Sequence, residues 1–157
     1  MDKPIRRWLL VGVFGGLAAL GTAYLVLDGR SQFYAAITED FAGETLSAPE
    51  AYRMATEGEI TMIDIRRPDE WVKTGSPAGA ARMDLRRDDF IAALSETVNG
   101  NRDAPIALIC ARGVRSARLG NLLRDAGFTR IIDVPEGMLG SAAGPGWLAR
   151  DLPVDRS

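Results

Sequence analysis

The chain carries one cysteine, Cys110, and a glycine and two arginines lie within the five residues that follow it. In order, this segment reads Cys110, Ala111, Arg112, Gly113, Val114, Arg115 and Ser116. Positive charge beside a sulfur favours the thiolate, which is the nucleophilic form of cysteine, over the thiol. A cysteine at the end of a strand is often an inert core residue, but a cationic loop containing glycine serves no purpose beside a structural thiol. The spacing therefore predicts that Cys110 is a nucleophile for anionic substrates.

The residues on either side of this segment predict a strand, a short loop and a helix. Ile106–Ile109 is a short apolar run of the kind that forms a strand buried on both faces. After Ser116, a good N-cap residue, apolar residues recur at helical spacing as far as Ala126, and Gly127 is placed to end the helix. In such a unit the amides of residues 111–116 converge above the sulfur and add to the positive end of the helix. The local sequence thus predicts an anion cradle.

The absence of histidine narrows the chemistry that this nucleophile can perform. The chain has no His, which removes Cys-His proteases, Ser-His hydrolases and histidine-ligated metals. A single cysteine also forbids an internal disulfide, a Cys-x-x-Cys redox pair and a cysteine-only zinc site. The net charge of −2 gives no electrostatic reason for nucleic-acid binding. We therefore expect no metal, no other cofactor and no nucleic acid, and only backbone amides and arginine remain to activate the thiol.

Strand and helix patterns alternate through residues 46–157. Predicted helices cover residues 47–57, 88–98 and 116–126, and predicted strands cover residues 60–65, 81–85, 106–110 and 130–134. In the second helix, the residues predicted to face the core are Phe90, Ile91, Leu94 and Val98. Alternation of this kind predicts an α/β fold with a doubly wound parallel sheet and helices on both faces. Ligands bind at the carboxyl ends of such strands, where Asp64, Arg66 and Cys110 fall.

The segment from Cys110 to Ser116 resembles the active-site loop of single-domain rhodanese sulfurtransferases, which typically reads Cys-x-x-Gly-x-Arg-Ser. The resemblance extends over about residues 46–154. It includes an Asp-x-Arg signature followed by a turn, and a closing segment with a tryptophan and Leu-Pro-Val. The matching residues are Asp64, Arg66, Glu70, Trp71 and residues 75–80, then residues 133–137, Trp147 and residues 152–154. Ser76 stands where the family's turn has histidine, and Glu136 stands where one of two closing glycines is usual.

This resemblance implies a rhodanese-like fold and a sulfurtransferase of the thiosulfate type. Cys110 would accept a sulfane sulfur from thiosulfate or a related small anionic donor as a persulfide, and would pass it to a thiol or to cyanide. Arg112 and Arg115 would hold the negative charge of the donor. Asp64 would brace the loop through its amides and Arg66 would lie near the substrate entrance, with an ordinary ion pair as the alternative for these two. Ala111 stands where the family often has arginine, which leaves the donor preference open.

Two other functions are built on the same fold. One is a non-catalytic module that carries sulfide or binds a protein partner, and an intact Cys110 does not exclude it. The other is a phosphatase or an arsenate reductase, whose loop has one more residue between cysteine and arginine and so encloses a tetrahedral oxyanion. Four residues separate Cys110 from Arg115, and this shorter loop favours sulfur chemistry.

Residues 8–27 form an uncharged apolar run. Twenty residues at helical rise span about 30 Å, which matches the hydrocarbon core of a bilayer. The predicted organisation is a basic tail at residues 1–7, a transmembrane helix at residues 8–27, a juxtamembrane linker at residues 28–45 and the rhodanese-like domain at residues 46–157. A signal peptide cleaved near residues 21–23 is the alternative. Glycines at small-xxx-small spacing could pair two such helices into a dimer, although glycine is common in membrane helices generally.

The charges beside the apolar run predict its orientation. Lys3, Arg6 and Arg7 precede the run, whereas Arg30 is the only basic residue in the twenty that follow it. Because basic residues stay on the cytoplasmic side, the amino terminus is predicted to lie in the cytoplasm. A single-pass protein in this orientation has its catalytic domain outside the cytoplasm, which in a Gram-negative cell is the periplasm.

This topology predicts that Cys110 is labelled from one side of the membrane only. We expect a small membrane-impermeant thiol reagent to label Cys110 in spheroplasts but not in inverted vesicles, and the protein to stay with membranes after a carbonate wash. Detergent-opened inverted vesicles are the control, because they show that the thiol can react. Labelling from the cytoplasmic face alone would contradict the orientation, and a soluble product beginning near Tyr24 would identify a signal peptide.

Overall fold

A five-stranded parallel sheet forms the centre of the fold in the computed structural model, which describes residues 36–156. The strands in chain order are β1 (Glu44–Thr45), β2 (Thr61–Asp64), β3 (Ser76–Pro77), β4 (Ala81–Arg82), β5 (Ile106–Ile109), β6 (Ile131–Asp133) and β7 (Val154–Asp155). The helices are α1 (Ala48–Thr56), α2 (Pro68–Thr74), α3 (Phe90–Thr97) and α4 (Val114–Asp125), with a 3-10 turn at Leu148–Arg150. The order of strands in the sheet is β1-β6-β5-β2-β4, while β3 and β7 form a separate antiparallel pair.

The central strand β5 is buried on both faces. Alternate side chains of a strand point to opposite faces, and here Ile106 and Leu108 join one apolar cluster while Ala107 and Ile109 join another. Residues from α3 and α4 cover the first face, and residues from α1 together with Trp147 cover the second. The predicted α/β fold, with a parallel sheet and helices on both faces, is confirmed.

Two helices differ in detail from their prediction. The helix after the cysteine begins at Val114 rather than Ser116, because Gly113 adopts a left-handed conformation (φ 82°) and turns the chain two residues earlier. The prediction that Ile91 faces the core is wrong, since its side chain is 46% exposed. Phe90, Leu94 and Val98 recur at four-residue spacing and supply the buried face of α3, from which Ile91 is rotated by about 100°.

The domain begins before the predicted end of the linker. Glu44 and Thr45 pair with Ile132 and Asp133 at the edge of the sheet, and Phe41 packs against the core. The predicted basic tail, the apolar run at residues 8–27 and the first part of the linker lie outside the described residues. Within residues 36–156, no helix is both long and apolar enough to cross a membrane.

Candidate active site

Cys110 follows the last residue of β5, at the carboxyl edge of the sheet, and is 1% exposed. Its carbonyl accepts a hydrogen bond of 2.9 Å from the amide of Met138, and the carbonyl of Ala111 accepts one of 2.9 Å from the amide of Leu139. The loop that follows β6 therefore holds the backbone of the cysteine loop directly. Because both loops follow neighbouring parallel strands, they lie side by side above the sheet edge.

The sulfur of Cys110 meets two donors from its own loop. The amide of Gly113 donates to Sγ at 3.2 Å, and the hydroxyl of Ser116 lies 3.6 Å from Sγ. The hydroxyl of Ser116 is also 3.1 Å from the carbonyl of Gly113. Of the amides predicted to form the cradle, that of Gly113 is the one within hydrogen-bonding distance of Sγ, and the side chain of Ser116 supplies the second donor.

Two glycines allow the cysteine loop and the loop after β6 to approach each other. A Cβ atom on Gly113 would lie 2.4 Å from the carbonyl oxygen of Pro135. A Cβ atom on Gly137 would lie 2.6 Å from the carbonyl group of Ala111. Both glycines have positive φ angles, 82° and 63°, which L side chains rarely adopt. The backbone of this site accordingly requires glycine at both positions.

The two arginines of the loop have different partners. Arg115 forms a two-pronged ion pair with Glu70, in which the nitrogen to oxygen distances are 2.8 Å and 2.7 Å. This hydrogen bonding raises the pKa of Arg115 against the effect of burial, and the nearby Cys110 adds to the rise. Arg112 instead donates to the carbonyl of Gly140 at 2.9 Å. We predicted that both guanidinium groups hold the negatively charged sulfur donor. For Arg115 this prediction has less support, because two of its nitrogens already donate to the carboxylate of Glu70.

A small cavity of about 120 Å³ opens on the Arg112 side of the loop. It is lined by Thr38, Arg112, Gly113, Pro135, Ser141, Ala142 and Ala143. A larger cavity of about 380 Å³ lies on the Arg115 side and is lined by Arg67, Glu70, Leu85, Arg86 and Arg115. Gly113 lines the smaller cavity and its amide donates to Sγ of Cys110, so this cavity adjoins the cysteine loop, although Cys110 itself does not line it.

Asp64 and Arg66 form a buried ion pair at the end of β2. The distance from Nη2 of Arg66 to Oδ2 of Asp64 is 2.6 Å, and Arg66 also donates to Oγ1 of Thr74 at 2.8 Å and to the carbonyl of Gly75 at 2.6 Å. The hydroxyl of Ser76 donates to Asp64 at 2.8 Å. Asp64 thus accepts from Arg66 and Ser76 rather than from the cysteine loop, and Arg66 is buried rather than placed at an entrance. A buried charge is costly unless an opposite charge and hydrogen-bond partners lie close to it. Asp64 and Arg66 provide the opposite charge for each other, and Ser76, Thr74 and Gly75 provide the further hydrogen bonds.

Glu136, which stands where the family usually has glycine, is a buried structural residue. Its carboxylate accepts from the amide of Ala48 at 3.2 Å, from the amide of Gly146 at 3.0 Å and from the guanidinium of Arg150 at 2.8 Å and 3.1 Å. Burial would raise the pKa of Glu136, but these hydrogen bonds outweigh it and hold the pKa below its usual value. Glu136 therefore ties the start of α1 to the glycine-rich segment that follows the active-site loop.

One site residue, Asp133, was not anticipated from the sequence. It is the last residue of β6 and is 2% exposed, and its Oδ1 atom has no hydrogen-bond partner among the described residues. Burial raises the pKa of Asp133 to about 6, although hydrogen bonds from Ser116 and from the amide of Val134 oppose the rise. The available signal was a carboxylate at the end of an otherwise apolar strand next to β5. In the part of the chain that the structure describes, no group of three or more His, Cys, Asp or Glu residues is arranged to hold a metal.

The Glu70–Arg115 ion pair predicts a pH-dependent contribution to stability. Burial would raise the pKa of Glu70, but hydrogen bonds from Arg115 and from the amide of Arg67, with the charges of Arg115 and Arg66, lower it to about 2. We expect Glu70→Gln to lower the free energy of unfolding at pH 7 by about 2–3 kcal/mol. The loss should shrink as the pH falls from about 4.5 towards 2, because the unfolded chain then binds a proton that the folded chain does not.

Urea unfolding of both proteins between pH 3 and pH 7 measures this difference. The matched control is Glu57→Gln, because Glu57 pairs with Arg53 on an exposed surface and its loss should cost less than about 1 kcal/mol. An equal loss at pH 3 and pH 7 for Glu70→Gln would show that the ion pair does not carry the effect.

The chain is similar to known proteins in both sequence and fold. Residues 47–142 match the family described as the rhodanese-like domain. The solution structure of the homodimeric polysulfide-sulfur transferase from Wolinella succinogenes is 25% identical, with a TM-score of 0.56, over 83% of this chain and 88% of that chain. A rhodanese-related protein from Thermoplasma volcanium is 28% identical, with a TM-score of 0.52, over 73% of this chain and 99% of that chain.

A third structure, from Rhodopseudomonas palustris, is described as a protein of unknown function and a possible tyrosine phosphatase. It is 21% identical, with a TM-score of 0.54, over 73% of this chain and 86% of that chain, and this likeness shows the fold alone. The family match spans more than half of the sequence and includes Cys110, its loop and the strands on both sides. With its parallel sheet and its cysteine at the carboxyl end of the central strand, the chain belongs to the rhodanese-like domain family.

Proposed function

We propose that the chain is a sulfurtransferase that passes a sulfane sulfur from a small anionic donor to a thiol or to cyanide through a persulfide on Cys110. The observation that carries this proposal is the sulfur of Cys110 held between the amide of Gly113 and the hydroxyl of Ser116, in a chain without histidine. These donors suit a sulfur anion, since hydrogen bonds to an ionised acceptor are about twice as strong as neutral ones. No general base is needed once the sulfur is ionised.

The proposed reaction has two balanced steps. With thiosulfate as donor, the Cys110 thiolate attacks the outer sulfur, the sulfur–sulfur bond of thiosulfate breaks, and its electron pair leaves with sulfite. The product on the protein is a Cys110 persulfide anion. A thiolate or cyanide then attacks the outer sulfur of that persulfide and leaves as a persulfide or as thiocyanate, which restores the Cys110 thiolate. Gly113 and Ser116 would stabilise negative charge on sulfur in both steps.

Two features support a small sulfur donor. The cavity lined by Arg112 and by Gly113, whose amide donates to Sγ, has a volume of about 120 Å³, which is large enough for a small inorganic anion. The similar protein from Wolinella succinogenes is named a polysulfide-sulfur transferase, and it is 25% identical to this chain. We therefore propose polysulfide as well as thiosulfate as a possible sulfur donor, since both are small anions that carry a sulfane sulfur.

The phosphatase alternative is less well supported by the loop. Only four residues separate Cys110 from Arg115, and the guanidinium of Arg115 is bound at two points by Glu70. A phosphatase would need that guanidinium to bind the equatorial oxygens of phosphate. The carrier alternative forms the same persulfide but does not turn over, so kinetics separates it from an enzyme.

We also propose that the protein is anchored in a membrane by residues 8–27, with its catalytic domain outside the cytoplasm. The apolar length of this run and the basic residues that precede it support the proposal. Pairing of two such helices through small residues would give a dimer. In this arrangement the sulfur donor and acceptor would be extracytoplasmic molecules.

The first test is the mass of the protein after incubation with a donor. We expect the full-length chain to gain the mass of one sulfur from thiosulfate or polysulfide and to lose it to cyanide or dithiothreitol, because Cys110 is the only thiol. Intact-mass spectrometry measures the change, and Cys110→Ser is the control that should gain nothing.

Each result of that experiment has a definite meaning. Sulfur gained by Cys110→Ser, or hydrolysis of aryl phosphates without any gain of sulfur by the native chain, would contradict the sulfurtransferase. A persulfide that forms once but is never turned over with excess donor and acceptor would identify a carrier.

The second test separates the charge of Arg112 from its structural contact. We expect Arg112→Ala to lower kcat/KM for thiosulfate by about 10- to 100-fold, since a charge-assisted contact to an anion is lost. Alkylation of Cys110 by neutral iodoacetamide should change by less than about twofold, because a neutral reagent makes no such contact. The matched control is Arg118→Ala, since Arg118 is an exposed arginine of α4 outside the loop. Equal losses with thiosulfate and iodoacetamide would assign Arg112 to loop structure instead.

A further inference from the structure

A short segment that precedes β1, residues 38–43, is bound along α4, and we call it the strap. The amide of Ala42 donates to Oδ1 of Asn121 at 3.4 Å, and Nδ2 of Asn121 donates to the carbonyl of Asp40 at 3.0 Å. Nη1 of Arg124 also donates to the carbonyl of Ala42. Because α4 begins within the cysteine loop, the strap is held by the same helix that carries this loop.

The side chain of Phe41 anchors the strap. Its ring packs against the core on the α4 side of the sheet, and the guanidinium carbon of Arg124 lies 6.0 Å from the centre of the ring. The ring occupies space that two glycines leave open, since a Cβ atom on Gly120 would lie 2.6 Å from it and a Cβ atom on Gly43 would lie 2.5 Å from it. A side chain at either glycine would therefore displace Phe41.

The first residue of the strap, Thr38, forms part of the wall of the small cavity. Thr38 is partly buried and lines the cavity of about 120 Å³ together with Arg112 and Gly113 of the cysteine loop. The remaining walls come from Pro135 and from residues 141–143. Thr38 precedes residues 47–142, which match the rhodanese-like domain family, so the chain adds this wall from outside the matched segment.

We propose that the strap limits the size of the sulfur donor: Thr38 is a specificity-determining residue, and Phe41 and Asn121 are positioning residues that hold it at the cavity. This inference rests on the proposed sulfurtransferase, because it assigns the cavity beside Arg112 to the donor. A cavity that holds one benzene molecule measures about 150 Å³. A volume of about 120 Å³ therefore accepts a small inorganic anion but not a sulfonyl group together with a phenyl ring.

The donors that this limit separates share one chemistry. In benzenethiosulfonate, as in thiosulfate, the Cys110 thiolate would attack the outer sulfur and the sulfur–sulfur bond would break, with the electron pair leaving on benzenesulfinate instead of sulfite. The two donors differ mainly in size, so the ratio of their kcat/KM values reports how much room the cavity offers.

The test compares alkylation of Cys110 by iodoacetamide and by N-phenyl iodoacetamide, which differ by one phenyl ring, so it does not depend on sulfur transfer. In the full-length chain we expect Gly120→Ala to raise the ratio of rate constants, phenyl reagent over plain reagent, by about tenfold, because its Cβ displaces Phe41 and releases the strap. Alanine favours a helix more than glycine does, so α4 itself is not weakened.

Substitutions of Thr38 test the wall directly. Thr38→Ala shortens the side chain and should raise the same ratio by about three- to tenfold, whereas Thr38→Val keeps its shape and should keep the native ratio. Gly120→Ala and Thr38→Ala should also raise kcat/KM for benzenethiosulfonate relative to thiosulfate.

The matched control is Arg118→Ala on the same helix, because the exposed contact of Arg118 with Glu39 of the strap measures 3.8 Å and contributes little. Its alkylation ratio should stay within about twofold of the native ratio. An unchanged ratio in Gly120→Ala and Thr38→Ala, or equal effects of Thr38→Ala and Thr38→Val, would overturn the proposal. If Gly120→Ala does not fold, the partly buried Thr38 decides. A native chain that gains no sulfur from either donor contradicts the sulfurtransferase alone, since the alkylation ratio still tests the strap.

Discussion

The active site depends on close backbone contact between the loops that follow β5 and β6. The amides of Met138 and Leu139 donate to the carbonyls of Cys110 and Ala111, and Gly113 fits against the carbonyl of Pro135 with no room for a side chain. These contacts exist because the two strands are parallel neighbours, so their carboxyl ends meet at one edge. Two backbone segments in direct contact form a more rigid site than flexible side chains could, and such preorganisation is what stabilises charge in catalysis.

Most charged groups around this edge bind one another rather than solvent. Asp64 with Arg66, Glu70 with Arg115, and Glu136 with Arg150 are ion pairs, of which the first is fully buried, the second is partly buried and the third has a buried carboxylate. Each pair connects segments distant in the chain or fixes a turn. Among the described residues Asp133 is an exception, since no ion pair includes it and burial raises its pKa to about 6.

The departures from the family pattern are compensated locally. Ser76 stands in place of the usual histidine, and its hydroxyl donates to Asp64 and so completes that ion pair. Glu136 stands in place of a glycine and fills its position with a carboxylate that accepts from two amides and Arg150. A Cβ on Gly144 would lie 2.5 Å from this carboxylate, so the glycine-rich segment after Glu136 accommodates it. Both substitutions alter the support of the site and leave the surroundings of Cys110 intact.

The sequence alone determined the α/β architecture and the strand, loop and helix around Cys110, because these follow from apolar periodicity and from residue types within a few positions of that cysteine. It could not determine that Arg115 pairs with Glu70, which lies 45 residues earlier in the chain, in α2. It also could not determine whether Asp64 supports the cysteine loop or pairs with Arg66. Nor could it identify the burial of Asp133, which depends on the register of β6 against β5 and on the helices that cover the sheet. These features arise from contacts between distant segments. The energies of these contacts depend on burial and on differences of a few tenths of an ångström in distance, and only the tertiary structure decides both.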